Sequence, residues 1–395
     1  MTSYKYANMD DALIKKYRKV GIITFHWAHN YGAVLQAYAL CQYIKTRLKH
    51  EPCIIDFRTF RQQKVNTNFK WPPFNRHFVK AFGVLLLRLL RIKALRKRSQ
   101  RFSNFIKENL TCSRHLSTYN ELNSSKLELD AVVSGSDQVF NAEILPHDEL
   151  LAYLLIPFAA SKFRLIAYAP SFGNTDLSQE TKKEISKPLQ DFHFLSAREA
   201  PGQRLLQELT GKSIPLVLDP VFLVSRQAWM NIASQVKAIP KPYILCYALN
   251  GREALGGIAN KVKSILNIPI VMITAKVRNR IKADVALFDV GPREFVWLFE
   301  NANFVVTDSF HGTAFSILFE KDFYTQIALP RNSQRIIGLL NQIKLSNRII
   351  NDADIDITAE TLKINYSFPN QIIQRLKAES ESYLSKSLCW QSANK

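Results

Sequence analysis

Four short segments place polar or titratable residues directly after apolar runs, where a strand would hand the chain to a helix. The first is His26-Trp-Ala-His-Asn-Tyr-Gly32. Asn30, Tyr31 and Gly32 stand at the start of a helical pattern, whose free N–H groups can hold an anion, although Asn and Gly are also ordinary turn residues. The second is Ser134-Gly-Ser-Asp-Gln138, in which Ser136 and Asp137 can contact a ligand or cap a helix. The third, Ser196-Ala-Arg-Glu199, delivers one fixed cation, Arg198, that can equally end in a surface salt bridge. The fourth, Thr307-Asp-Ser-Phe-His-Gly-Thr313, offers Ser309 and Thr313 as caps and His311 at the tip of the turn beside Gly312. An imidazole there can exchange protons near neutral pH or be a satisfied structural histidine.

Several chemistries are excluded. His26 and His29 form H-x-x-H, but no third ligand follows at metal spacing, and His77, His115 and His193 are isolated, so no metal site is expected. The chain has no G-x-x-x-x-G-K-[ST] loop, no G-x-G-x-x-G fingerprint and no G-x-S-x-G elbow.

Apolar runs alternating with helical patterns supply the elements that must position these segments. Strands are expected at Val20 to His26, Cys53 to Phe57, Ala131 to Ser134, Leu165 to Ala169 and Phe194 to Ala197, with a helix from Gly32 to about Lys49. After the proline-punctuated linker Val236 to Pro242 the pattern restarts. Strands are expected at Tyr243 to Leu249, Ile270 to Thr274, Val285 to Phe288 and, last, Phe304 to Thr307, and helices at Glu253 to Leu266, Pro292 to Asn301 and Thr313 to Glu320. Such alternation indicates α/β domains built on parallel sheets covered on both faces. The expected division is an N-terminal domain over 1–235 on the acceptor side, a C-terminal domain over 243–358 carrying the DSFHGT turn, and a helical tail over 359–395.

At 395 residues and 47% hydrophobic composition the chain can bury two cores. Its five scattered cysteines include no CxxC pair, and no secretory-type start is visible, so a reducing, cytoplasmic compartment is expected. No apolar run is long enough to span a bilayer. Lys and Arg outnumber Asp and Glu by 53 to 33, a net +20 that points to anionic partners. Between Arg76 and Arg114 eleven Lys or Arg face the single acid Glu108, a net +10 in a helical insertion. Phe78, Phe82, Leu85, Leu86 and Leu89 fall on one side of it, and Lys80, Arg88, Arg91 and Arg98 on the other. This face either packs between domains or docks on the inner face of an anionic membrane.

The segments KVGIITFHWAHNYGAVLQAYAL, LDAVVSGSDQVFN, FLSAREAPGQRLLQELTG followed by LVLDPVFL, and NFVVTDSFHGTAFSILFEKDF resemble, in order and spacing, the signature blocks of polysaccharide pyruvyltransferases. The resemblance runs from about Val20 to Arg348. It implies two Rossmann-like domains facing a central cleft, similar to the B-type glycosyltransferase architecture, with phosphoenolpyruvate as donor and no further cofactor. It makes His311 the essential histidine and Arg198 the family arginine. Some members carry Arg where this chain has Ser309, so anion contacts made there must come from elsewhere, with Arg331 and Arg335 as candidates.

Ketal formation needs a proton for C3 of phosphoenolpyruvate, attack of a sugar hydroxyl on C2, loss of phosphate and closure by a second hydroxyl. The resemblance thus implies His311 as acid/base, Asp137 as a second acid/base or hydroxyl-orienting group, and Arg198 with Arg331 or Arg335 on the carboxylate and phosphate. Asn30, Tyr31, Gly32, Ser136, Ser309 and Gly312 would line the substrate, and the helix N-termini after Asn30 and His311 would supply N–H donors to phosphate. The acceptor would be a lipid-linked or oligomeric cell-surface glycan. A nucleotide-sugar glycosyltransferase of the same architecture is the alternative. A non-catalytic nucleic-acid or anion binder rests on charge alone, without a recognisable nucleic-acid motif, and no nucleic acid is expected.

Overall fold

The computed structural model describes residues 18–66, 78–249, 253–275, 281–327, 333–351 and 357–389, with the side chains of 64–66 and 78–90 outside that description. Two parallel sheets organise it. The first contains β1 (Lys19–Ile23), β2 (Glu51–Ile54), β3 (Ala131–Ser134), β4 (Arg164–Ala167) and β5 (Phe194–Leu195) in the order β2-β1-β3-β4-β5. The second contains β6 (Ile244–Tyr247), β7 (Ile270–Ile273), β8 (Val285–Leu287), β9 (Phe304–Thr307), β10 (Asp322–Gln326) and β11 (Ile349–Ile350) in the order β11-β10-β9-β6-β7-β8. The first order is flavodoxin-like, and the second is the Rossmann order with six strands; both are doubly wound.

The central strands β3, β6, β7 and β9 are buried along their whole length, as helices on both faces require. Each expected strand is present, but several end sooner. The run Val20 to His26 pairs only to Ile23; beyond it Thr24 donates to Ser136 O in the loop after β3 and His26 bonds Asp56 in the loop after β2. Ala197 leaves β5 and makes an isolated bridge to Leu216 instead. β9 is not the last strand, since β10 and β11 follow it. The helix expected from Thr313 spans Phe310–Leu318, because the Ser309 hydroxyl caps it by accepting from Gly312 N at 3.2 Å. His311 therefore sits in the first helical turn rather than at a loop tip.

One apolar cluster is continuous from Ile22 and Val133 through the helix Tyr31–Thr46 to Phe295, Phe315 and Val305, so the two sheets share a core. Its centre is aromatic. Tyr31 stacks on Phe295 at 4.5 Å between ring centroids, and Trp229 lies 5.5 Å from Tyr38 and 5.1 Å from Phe315. The helix Ser367–Ser387 returns to the first sheet, where Tyr383 Oη donates to Ala167 O and Ser380 Oγ accepts from Leu218 N.

The basic segment forms a 32-residue helix, Phe78–Asn109. Lys80 and Arg88 lie outside the described side chains, but Arg91 and Arg98 do not keep a solvated face. Arg91 lies over the Phe288 ring, and Arg98 lies over Tyr31 and donates to Tyr31 Oη and His29 O. Lys97 and Arg101 pair with Asp289. For these residues the contacts favour the packing alternative, since they bridge the two sheets. No helix among the described residues is long and apolar enough to cross a membrane.

Phe105 is buried at the foot of this bridge, 5.5 Å from Tyr38. Phe105→Ala should cost about 3–5 kcal/mol by urea unfolding, whereas the exposed Arg96→Gln should change stability by no more than about 0.5 kcal/mol. Equal, small effects would show that the helix is not part of the core.

Candidate functional site

In doubly wound sheets ligands collect beyond the strand ends where the order reverses. Those points lie between β1 and β3 in the first sheet and between β6 and β9 in the second. The loops after β1 and β3 carry Asn30 and Ser136 with Asp137, and the turn after β9 carries Ser309 as cap and His311 in the first helical turn, so three of the four segments meet at facing reversal points. The fourth, with Arg198, enters from β5.

The centre is Asp219, 1% exposed. Its Oδ2 accepts from Ser136 Oγ at 2.9 Å and from Arg198 Nη1 at 2.7 Å, and lies 3.5 Å from His311 Nε2. Its Oδ1 accepts from Val221 N, which caps the turn Pro220–Leu223. Burial alone would raise this carboxyl, but the His311 imidazole and the Arg198 guanidinium outweigh it and hold the group well below the usual carboxylate range. Arg198 is itself buried; burial opposes its charge, and Asp219, Glu199 and Asp137 together more than restore it.

These contacts leave donors unused. The His311 contact is long for a hydrogen bond, and His311 Nε2, Arg198 Nε and Arg198 Nη2 are buried with no hydrogen-bond partner. Around the free guanidinium edge stand Glu199 Oε2, 3.7 Å from Nε, and Asp137 Oδ1, 3.9 Å from Nη2. Arg335 Nη1 reaches the same Asp137 oxygen at 3.6 Å, and both guanidiniums lie over the Phe310 ring, at 4.6 and 5.8 Å. Burial first, then repulsion from Arg198, lowers the Arg335 pKa. Asp137 holds φ at +79°, a left-handed conformation uncommon for a residue with a side chain. Arg331 lies outside the described residues.

Gly32 shows how closely the two halves approach. A Cβ built there would fall inside the His311 imidazole, so only glycine permits the helix Tyr31–Thr46 to start against that ring. A Cβ at Gly312 would likewise strike Thr307 Oγ1. Two expected anion contacts are altered by local bonding. Asn30 is the N-cap, accepting from Gly32 N at 3.0 Å and from Ala33 N, so those donors are already used. Ser309 similarly takes Gly312 N. The Tyr31 hydroxyl donates to Val290 O and accepts from Arg98, which makes Tyr31 a packing residue whose polar end is satisfied. His26 bonds Asp56 and Thr24 O, away from Asp219. No group of three or more His, Cys, Asp or Glu suited to a metal occurs among the described residues.

Asp219 was not among the residues expected to act, although LVLDPVFL contains it. The available signal was an acid between two apolar triplets, followed by proline. Because its folded pKa is depressed, ionised Asp219 stabilises the fold fully above the unfolded value of about 3.9 and progressively less as pH falls toward the folded value. Asp219→Asn should therefore destabilise the protein at pH 7 by about 3–5 kcal/mol, by stranding Arg198. The gap to the parent should narrow by up to about 1.4 kcal/mol per pH unit below pH 4. A gap independent of pH in urea titrations from pH 7 to 3 would remove Asp219 as the ionised partner.

No curated protein matches the chain in sequence. Among solved structures, Arabidopsis thaliana UGT89C1 complexed with UDP-L-rhamnose superposes with a TM-score of 0.52 at 9% identity, covering 95% of this chain and 100% of that one. A putative UDP-N-acetylglucosamine 2-epimerase from Listeria monocytogenes gives 0.48 at 11% identity, covering 94% and 91%. The Methanocaldococcus jannaschii UDP-GlcNAc 2-epimerase in complex with UDP-GlcNAc and UDP gives 0.45 at 14%, covering 91% and 99%. The first likeness establishes a fold like that of the B-type glycosyltransferases. The polysaccharide pyruvyl transferase family matches residues 30–325, three of the four signature segments whole and the first from Asn30 onward. With that span matched, the chain belongs to the polysaccharide pyruvyl transferase family.

Proposed function

We propose that this transferase moves the pyruvyl group of phosphoenolpyruvate onto a hydroxyl pair of a cell-surface glycan, as a ketal. The observation that carries the reading is the meeting of His311 from one sheet with Arg198 from the other, both with buried, unused donors. Each such donor costs about 1–3 kcal/mol while unpaired, so an anion that engages them is favoured. Asp219 binds only Nη1 of Arg198 and orients the Nε–Nη2 edge, which is the fork that pairs a carboxylate or phosphate. Arg335 adds a second guanidinium, poorly neutralised and beside the first.

In this scheme His311 delivers a proton to C3 of the donor, and the positive charge develops at C2 beside its carboxylate. A sugar hydroxyl adds to C2 and releases its proton to Asp137. The C2–O bond to phosphate breaks as Asp137 passes that proton to the departing phosphate, and the second hydroxyl closes the ketal, returning its proton to His311. Asp219 keeps the imidazole facing the donor and stabilises it when protonated. The scheme draws on no nucleotide. The acceptor is a lipid-linked or oligomeric glycan reached from the cytoplasmic side.

His311→Ala should lower phosphate release from phosphoenolpyruvate, with glycan from cells lacking the protein as acceptor, by about 10²–10⁴-fold while leaving the unfolding curve near that of the parent. A folded variant of parental activity would remove His311 as the acid. Arg198→Lys keeps the charge but loses the planar fork, so calorimetry should show phosphoenolpyruvate binding weakened by roughly tenfold or more. Failure of the parent to release phosphate, with release of UDP from a UDP-sugar instead, would replace this reading by the glycosyltransferase one.

A further inference from the structure

A second opening lies at Glu199, the residue that follows Arg198 in the chain. It is a cavity of about 460 Å³ lined by the loop Gly173 to Asp176, by Glu199, Pro201 and Arg204, and by Gln334. That volume falls within the range of small-molecule sites. The loop arrives from β4 and the Glu199 segment from β5, while Gln334 begins the helix Gln334–Gln342 of the second half, so the cavity lies between the two halves.

Glu199 is only 4% exposed, and its Oε2 has no hydrogen-bond partner. The facing cation, Arg198 Nε, stands 3.7 Å away, too far for a hydrogen bond, so the lone pairs of Oε2 are left for a ligand hydroxyl. The rest of the lining is rich in acceptors. Asn174 is fixed by donating to Glu143 and Asp176 O, which presents the loop in one shape, and Gly173 supports it at φ +70°. Two carboxylates, Asp176 and Glu199, against the exposed Arg204 disfavour a second anion and favour a neutral molecule with many O–H donors.

We propose that this cavity is the subsite for the acceptor sugar, a neutral pyranose, and that Glu199 Oε2 accepts a hydrogen bond from one of its hydroxyls, holding it beside the donor on Arg198. The assignment rests on the pyruvyl-transfer reading, because the Glu199–Arg198 contact is what sets a sugar hydroxyl next to the reacting carbon.

The probes are methyl glycosides of glucose, galactose, mannose and N-acetylglucosamine, observed by saturation-transfer NMR on the full chain, with phosphoenolpyruvate binding measured separately by calorimetry. At least one glycoside should bind the parent and should not be displaced by saturating phosphoenolpyruvate. Thr175→Trp, which fills the cavity from its wall, should abolish the sugar signal while leaving the phosphoenolpyruvate Kd within about twofold. Glu199→Gln, isosteric and unable to act as a carboxylate acceptor, should weaken the glycoside by about tenfold. Glycoside binding undiminished in a folded Thr175→Trp or Glu199→Gln protein, or no glycoside bound by the parent, overturns the subsite. If instead the parent binds glycosides in this cavity but no phosphoenolpyruvate, the sugar site stands and the donor assignment fails.

Discussion

A carboxylate removed from water must have its charge met by the protein, and Asp219 is removed almost completely. Its solution uses the backbone N–H of Val221 two residues on, and one hydroxyl, one guanidinium and one imidazole drawn from segments far apart in sequence. Each partner is fixed by the bond it makes. Ser136 and Arg198 are held at the ends of β3 and β5, and His311 is brought to them from the end of β9. Without Asp219 the guanidinium would lose its hydrogen-bonded carboxylate and keep only the longer contacts to Glu199 and Asp137, and the imidazole would lose the carboxylate it faces in the first half. The constraint explains why the site is ordered before any ligand arrives.

That ordering needs a frame in which the two sheets cannot drift apart. The aromatic stack around Tyr31 and Phe295 and the shared apolar cluster supply the attraction, and the helix Phe78–Asn109 adds directional bonds across the same boundary. Arg101 illustrates the division of labour: it donates to Asp289 O at 2.8 Å and pairs with Glu294 at 3.3 Å, both on the second half. Glu294 in turn accepts from Gly291 N at the start of the helix Pro292–Asn301, which carries Phe295 into the stack. Over Arg91, Arg98 and Arg101 the basic segment is a strut between the halves.

The sheets were legible because buried parallel strands read as unbroken apolar runs; Ala131–Ser134 and Phe304–Thr307 have the bounds expected from sequence. β10 was missed because DFYTQ shows neither an unbroken apolar run nor alternation, its Thr325 and Gln326 being polar yet buried, and β11 because two residues carry no pattern. Turn chemistry was legible too, Asn30 and Ser309 being caps as their residue types allow. What those caps do to anion binding was not, since a cap consumes the N–H groups that the same turn would offer. Asp219 was opaque for a different reason. Its partners lie 21 and 83 positions away in the chain for Arg198 and Ser136, and no local spacing encodes a bond of that span.

The same locality limit bears on the glycines. Gly32 looks like an ordinary helix-start residue, and only the position of the His311 ring shows why a side chain is forbidden there. The imidazole is thereby pressed against the backbone of the other half, with Asp219 on one side and the Gly32 backbone on another. An imidazole confined in this way can be displaced by moving either sheet relative to the other. The geometry of this turn is therefore tied to the packing between halves, since an imidazole that retreats from Gly32 also retreats from Asp219 and from the guanidinium that Asp219 aligns.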